Sequence, residues 1–298
     1  MNNTINVAFS TDSNYIMPTT VAITSFLENN NADNIYIHLL HLKGDLSTDD
    51  LNSIRDLVIS YGSKFVPLEI EKEALSAMPL LRHGLASYLR IFLPQILDVE
   101  TILYLDVDII VDKNILELFE LDMNGYEFAA VPDIRTLDKE YLNKIGFNRL
   151  GKYFCTGILL MNLNELRKID LVDKTYTYLS KYKDKIEHSD QDILNVICNK
   201  ILYLHPKYNR TDAYFNKTKF LNIWTEKDYK ETMNSPYIIH YMGSSKPWYY
   251  KDFHSCKIKW YKYLKKTKYK AFRPNDKNFK NFLISRYWMI RRFLRLNN

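Results

Sequence analysis

Across its first 105 residues the chain alternates short apolar runs with segments whose apolar residues return at helical spacing. Few folds accept that alternation. Ile5-Asn6-Val7-Ala8-Phe9-Ser10 reads as a first strand, closed by the polar Thr11-Asp12-Ser13-Asn14-Tyr15, and a helix through Val21, Ile23, Phe26 and Leu27 follows. Ile35–Leu40 is a second strand. Ser47 caps a helix carrying Leu51, Ile54, Leu57, Val58 and Tyr61, Gly62 ends it, and Lys64–Leu68 is a third strand. Residues 85–97 read as an amphipathic helix bearing Arg90, and Ile102-Leu103-Tyr104-Leu105 as a strand buried on both faces. A helix near 114–121, strands at Phe128–Val131 and 153–163, a helix pair over about 164–200 and a last strand at Tyr237–Tyr241 complete the reading. The pattern predicts an α/β domain with a Rossmann-like, mostly parallel sheet flanked by helices, and a ligand site beyond the carboxyl ends of its strands.

At one such end stand Asp106 and Asp108, with Val107 between them. In extended chain, a spacing of two points both carboxylates the same way. Two close carboxylates repel unless a cation joins them, and oxygen ligands favour Mg²⁺ or Mn²⁺. The plain alternative is a solvated strand end with turn-forming aspartates. His240 follows the apolar Ile238-Ile239 and precedes a turn containing Gly243; its imidazole suits Mn²⁺ better than Mg²⁺, unless it is a structural histidine. Lys246, ahead of Pro247 and Trp248, is placed to reach a diphosphate, or is a surface lysine. Ser189-Asp190-Gln191-Asp192 opens a helix; capping accounts for one of its acids, not for the whole run.

The 298 residues suit one large domain, or one domain with an appendage, and 46% hydrophobic residues supply a core without staples. Cys155, Cys198 and Cys256 are far apart, which argues against a zinc site or disulfide framework and for a reducing cytoplasm. The sequence suggests neither a signal peptide nor a transmembrane helix, and the Asn209-Arg210-Thr211 sequon reads as coincidence. Net charge is +6, but residues 249–298 carry +13 and residues 1–248 carry −7. That split predicts a catalytic body over 1–248 and a basic, aromatic extension over 249–298. In the extension, Phe279, Phe282, Leu283, Ile290, Phe293 and Leu294 recur near helical spacing among Lys280, Arg286, Arg291, Arg292 and Arg295. This reads as an interfacial helix on an anionic membrane, which would hold the protein at the inner face of the cell membrane; the alternatives are a packed helix with a solvated face, or nucleic-acid binding, for which no motif speaks.

Taken together, Phe9-Ser10-Thr11-Asp12-x-Asn14-Tyr15, Ser87-Tyr88-x-Arg90, Leu103-Tyr104-Leu105-Asp106-x-Asp108, Gly157–Leu163, Asp190-Gln191-Asp192-Ile193-Leu194-Asn195 and His240-Tyr241-x-Gly243-x-x-Lys246-Pro247-Trp248 resemble glycosyltransferase family 8. The family includes bacterial lipopolysaccharide galactosyl- and glucosyltransferases and glycogenin. The resemblance covers residues 5–248 and implies a GT-A fold and retaining transfer of galactose or glucose from a UDP-sugar to a glycan or lipid-linked oligosaccharide, with Mn²⁺. It implies Asp106, Asp108 and His240 as metal ligands. Asp12, Asn14 and Tyr15 would hold uridine, Gly243 and Lys246 the diphosphate, with Arg90 beside it. Asp133, Asp190 and Gln191 would surround the sugar, and Val107, Cys155 and Thr156 would line the donor site. Asp190, Gln191 and Lys246 would carry catalysis. Phe154-Cys155-Thr156-Gly157 departs from the family's Phe-Asn-Ala-Gly or Phe-Asn-Ser-Gly: a thiol, a poor hydrogen-bonder, replaces an amide beside the donor sugar. The rival expectations are a nucleotidyltransferase, which would release pyrophosphate, and a silent binding protein of the same fold.

Overall fold

The computed structural model describes residues 4–82, 84–134, 138–148, 151–244 and 246–296, apart from the side chains of 289 and 291–296. The first half runs β1 (Ile5–Ser10), α1 (Ile16–Asn29), β2 (Ile35–Leu42), α2 (Thr48–Ser60), β3 (Lys64–Ile70), α3 (Leu93–Ile96), β4 (Thr101–Leu105), β5 (Ile109–Val111) and β6 (Phe128–Pro132). The second runs α4 (Lys139–Lys144), β7 (Phe154–Asn162), α5 (Leu163–Lys168), α6 (Leu171–Tyr182), α7 (Ser189–Ile197), β8 (Ile201–Tyr203), α8 (Lys217–Leu221), α9 (Glu226–Asn234), β9 (Ile238–His240), α10 (Lys257–Leu264) and α11 (Phe279–Leu296).

The main sheet has the order β3-β2-β1-β4-β7-β6-β8, and β5 pairs with β9 in a small second sheet. Strands β1 to β4 are parallel, but β7 runs antiparallel to both β4 and β6, so the sheet is mixed. Pleating divides the core. Val7 and Phe9 pack with Phe26, Ile54 and Val58 under α1 and α2, while Ala8 and Tyr104 face Tyr88, Leu179 and Ile193 on the other side. Because β7 is reversed, its first residues lie at the same edge as the last residues of β1 and β4. The cleft forms there.

Several local expectations need correction. Residues 85–97 form a 3₁₀ helix over Leu85–Phe92 followed by the single α-turn of α3, whose Pro94 sits in its first turn where no amide proton is needed. The helix near 114–121 is likewise a 3₁₀ helix, Leu116–Glu120. The helix pair of 164–200 is three helices: Asp170, at a left-handed φ of 47°, caps α6, and the chain turns again before α7. Asp106 to Asp108 are a turn between β4 and β5, not extended chain. Strand alternation therefore does not aim the two carboxylates.

The extension beyond Trp248 has two parts. α10 buries Trp260, Tyr263 and Leu264 against Val21, Ile110, Ile239 and Trp248, and Asp276 accepts the amide of Tyr250 at 2.6 Å. α11 leaves Phe279, Leu283, Tyr287 and Ile290 exposed; the side chains of Arg291, Arg292, Phe293, Leu294 and Arg295 lie outside the described residues. Among the described residues, no helix is long and apolar enough to cross a membrane.

Candidate active site

Two ladders meet around the Asp106–Asp108 turn. The Asp106 amide donates to Gly157 O at 2.8 Å, extending β4 along β7, and the Tyr241 amide donates to Asp108 O at 2.9 Å, extending β5 along β9. The β5–β9 register sets Ile109 against His240. His240 Nε2 thereby reaches within 3.2 Å of Asp108 Oδ1 and 3.7 Å of Asp106 Oδ2. One ligand atom from each of the three residues lies within 4.8 Å of the others. Gly157 makes room: a Cβ there would stand 2.3 Å from His240 Cε1 and 2.7 Å from Asp106 Oδ2. Two carboxylates and an imidazole, converging on a floor that tolerates no methyl group, fit a divalent cation.

Protein cations balance the carboxylates. Burial works against charge on His240, yet Asp108 beside it outweighs that and pushes the imidazole up to about 10. Burial would likewise raise Asp108, but Lys246 and His240 hold it well below the usual carboxylate range. Lys246 Nζ pairs with Asp108 Oδ2 and donates to Tyr241 O at 2.9 Å.

Arg90 is buried, with its guanidinium 3.9 Å from the centre of the Tyr104 ring. Its donors go to Ser87 O (3.0 Å), Thr156 O and Asp106 Oδ1 (2.8 Å). Since Nε already serves Ser87, the Asp190 carboxylate oxygen 3.3 Å away gains charge attraction without a hydrogen bond. Burial therefore dominates and raises Asp190 to about 6, against the pull of Arg90. Ser189, at a left-handed φ of 48°, starts α7 and turns Asp190 and Gln191 toward the cleft. Gln191 Oε1 accepts the Thr156 amide at 3.3 Å and its Nε2 donates to Asp133 Oδ2 at 3.2 Å. Asp192 is structural: it accepts from the Tyr141 and Tyr153 hydroxyls and from the amides of Glu187 and His188. Asn195 clasps Phe154 through both its amide and its carbonyl at 2.8 Å, which steadies the start of β7.

These groups surround a cleft of about 420 Å³. Of the predicted donor-site residues, Asp12, Tyr15, Arg90, Asp106, Val107, Asp108, Cys155, Thr156, Asp190, Gln191, His240, Gly243 and Lys246 line it. Asn14 does not; its amide donates to Asp12 Oδ1 at 2.8 Å. Asp133 acts from behind Gln191. Tyr15 meets Trp248 edge to face, ring centres 5.8 Å apart, at the rim. The sequence reading missed Arg82, Tyr104, His188, Met242 and Tyr249. Tyr104 and Met242 lie inside motif segments, and His188 and Tyr249 directly beside them, so position in the chain offered a signal for these four; Arg82 stands apart from every motif and offered none.

The model of the family "Glycosyl transferase family 8" matches residues 6–252. The chain belongs to that family. It is a glycosyltransferase of the hexosyltransferase class. This glycosyltransferase is 27% identical to a lipopolysaccharide 1,2-glucosyltransferase of Escherichia coli K12 over 96% of this chain and 87% of the relative. It is 30% identical to a putative glycosyltransferase of Haemophilus influenzae over 86% and 76% of the two chains. Its fold is that of the galactosyltransferase LgtC, solved with donor and acceptor sugar analogues: the TM-score is 0.77 at 23% identity, covering 91% of this chain and 98% of that one. The mixed-sheet α/β architecture is thus shared.

Proposed function

We propose that this glycosyltransferase moves galactose or glucose from a UDP-sugar to a cell-surface glycan or glycolipid, with retention at the anomeric carbon. The observation that carries the reading is the convergence of Asp106, Asp108 and His240 at the floor of a cleft that also presents Lys246 and Asp190. Tyr15 stacks on uracil and Asp12 holds the uridine beside it, with the Asn14 amide fixing the Asp12 carboxylate from outside the cleft. A divalent cation held by Asp106, Asp108 and His240, Mn²⁺ before Mg²⁺, would neutralise the diphosphate. Lys246 turns from Asp108 to a phosphate oxygen and stabilises the charge developing on UDP. The anomeric C–O bond breaks with its electrons leaving on the phosphate; the acceptor hydroxyl bonds to the same face and passes its proton to a phosphate oxygen. Asp190 and Gln191 orient the sugar. A sugar trapped covalently on Asp190 would overturn this route in favour of double displacement.

The relatives named for lipopolysaccharide glucosyl transfer support a lipid-linked acceptor. We assign catalysis to residues 1–248, braced by the packed α10, and attachment to α11 within the extension over 249–298. The exposed face of Phe279, Leu283 and Ile290 with Lys280 and Arg286 suits an anionic lipid surface at the cytoplasmic side of the cell membrane.

The test is UDP release from a panel of UDP-sugars, with Mn²⁺ or chelator, in wild type and Asp108→Asn. Mn²⁺-dependent release from one sugar, lost in the variant, supports the reading and names the donor. Pyrophosphate release identifies a nucleotidyltransferase instead, and absence of both turnover and UDP binding identifies a silent binder.

A further inference from the structure

His240 uses both ring nitrogens. Nε2 faces the two carboxylates, while Nδ1 lies 2.9 Å from Asn209 Oδ1. Asn209 ends the 3₁₀ helix Pro206–Asn209 and is only 2% exposed. Backbone pairing holds it beside β9: the Arg210 amide donates to Ile238 O and the His240 amide donates to Arg210 O, both at 2.9 Å. Asn209 therefore cannot drift without breaking the bridge between residue 210 and β9. The other neighbour of Nδ1 is Cys155 Sγ, at 4.0 Å, too distant and too weak an acceptor to fix a ring. The burial of Asn209 also closes the apparent Asn-x-Thr sequon to a glycan.

An imidazole with a single proton can place it on either nitrogen, and only the form with Nδ1–H leaves a lone pair on Nε2. A carbonyl oxygen at Nδ1 selects that form, and such outer partners typically contribute about 10- to 100-fold to metal affinity. We propose that Asn209 is a positioning residue: its carbonyl holds the His240 proton on Nδ1 and so presents Nε2, beside Asp106 and Asp108, as a ligand for a divalent cation. The inference rests on the metal-site reading above and goes beyond it by naming the residue that makes the site a good ligand set.

The experiment measures Mn²⁺ affinity directly, by electron paramagnetic resonance of free Mn²⁺, in full-length wild type, Asn209→Leu and Asn209→Asp without donor. Leucine removes the acceptor and should weaken Mn²⁺ binding about 10- to 100-fold. Aspartate keeps an acceptor oxygen and should bind within about threefold of wild type. Leucine within threefold of wild type, or aspartate as weak as leucine, overturns the proposal. Should the leucine variant fail to fold, Asn209→Ala takes its place with the same readout: Mn²⁺ binding about 10- to 100-fold weaker than wild type supports the proposal, and binding within about threefold of wild type overturns it. Wild type that binds no Mn²⁺ at all would instead refute the underlying metal site.

Discussion

Replacing Asp190 with asparagine should stabilise the protein while disabling it. The carboxyl is 4% exposed, and one of its oxygens faces Arg90 without a hydrogen bond. Its pKa is raised from 3.8 to about 6, which corresponds to about 3 kcal/mol against the charged form. Between those two values the folded chain keeps a proton that the unfolded chain has released. Stability is therefore lost as pH rises through the window, and the penalty is complete above it. Asparagine has nearly the same shape and no charge to desolvate, and Arg90 keeps its bonds to Ser87, Thr156 and Asp106. Urea unfolding in chelator should show Asp190→Asn more stable than wild type by about 3 kcal/mol at pH 7.5, or roughly 5 °C in Tm. The advantage should shrink to about 1 kcal/mol at pH 4.5. UDP release should fall by about 100-fold or more, the usual trade of stability against function at an active-site charge. A variant no more stable than wild type at pH 7.5, or a gap that does not change with pH, would refute the electrostatic argument.

Gly157→Ala places a methyl group 2.3 Å from His240 Cε1; the overpacking should cost about 1–3 kcal/mol, and calorimetry should find Mn²⁺ binding at least about tenfold weaker. Trp260→Ala empties a fully buried site between α10 and the body; chemical denaturation should register a loss of about 3–5 kcal/mol. Deleting residues 278–298 removes α11 but spares Asp276 and the packed α10; sedimentation with anionic liposomes should drop to background while UDP release stays at wild-type level, and unchanged liposome binding would sink the lipid assignment.

The order of elements was legible because it is written in local periodicity. Val7, Phe9, Ile37, Leu39 and Leu103 belong to runs that only a buried strand accommodates, and Ser47 and Gly62 bracket α2 as their local chemistry requires. The ligand types at Asp106, Asp108 and His240 were legible too, since each ends or follows an apolar strand. Their convergence was not. It depends on a turn, on the pairing of β5 with β9, and on a reversed β7 that brings Gly157 beneath the site; these are contacts between segments far apart in sequence. Long-range pairing likewise decided that Asp192 supports the site from behind, that Asp133 acts through Gln191, and that the chain from Trp248 to Leu264 belongs to the packed core. Residue identity set which groups were available for chemistry. Their distances, burial and charge balance arose only when the sheet closed around them, because those quantities depend on what each side chain meets across the fold.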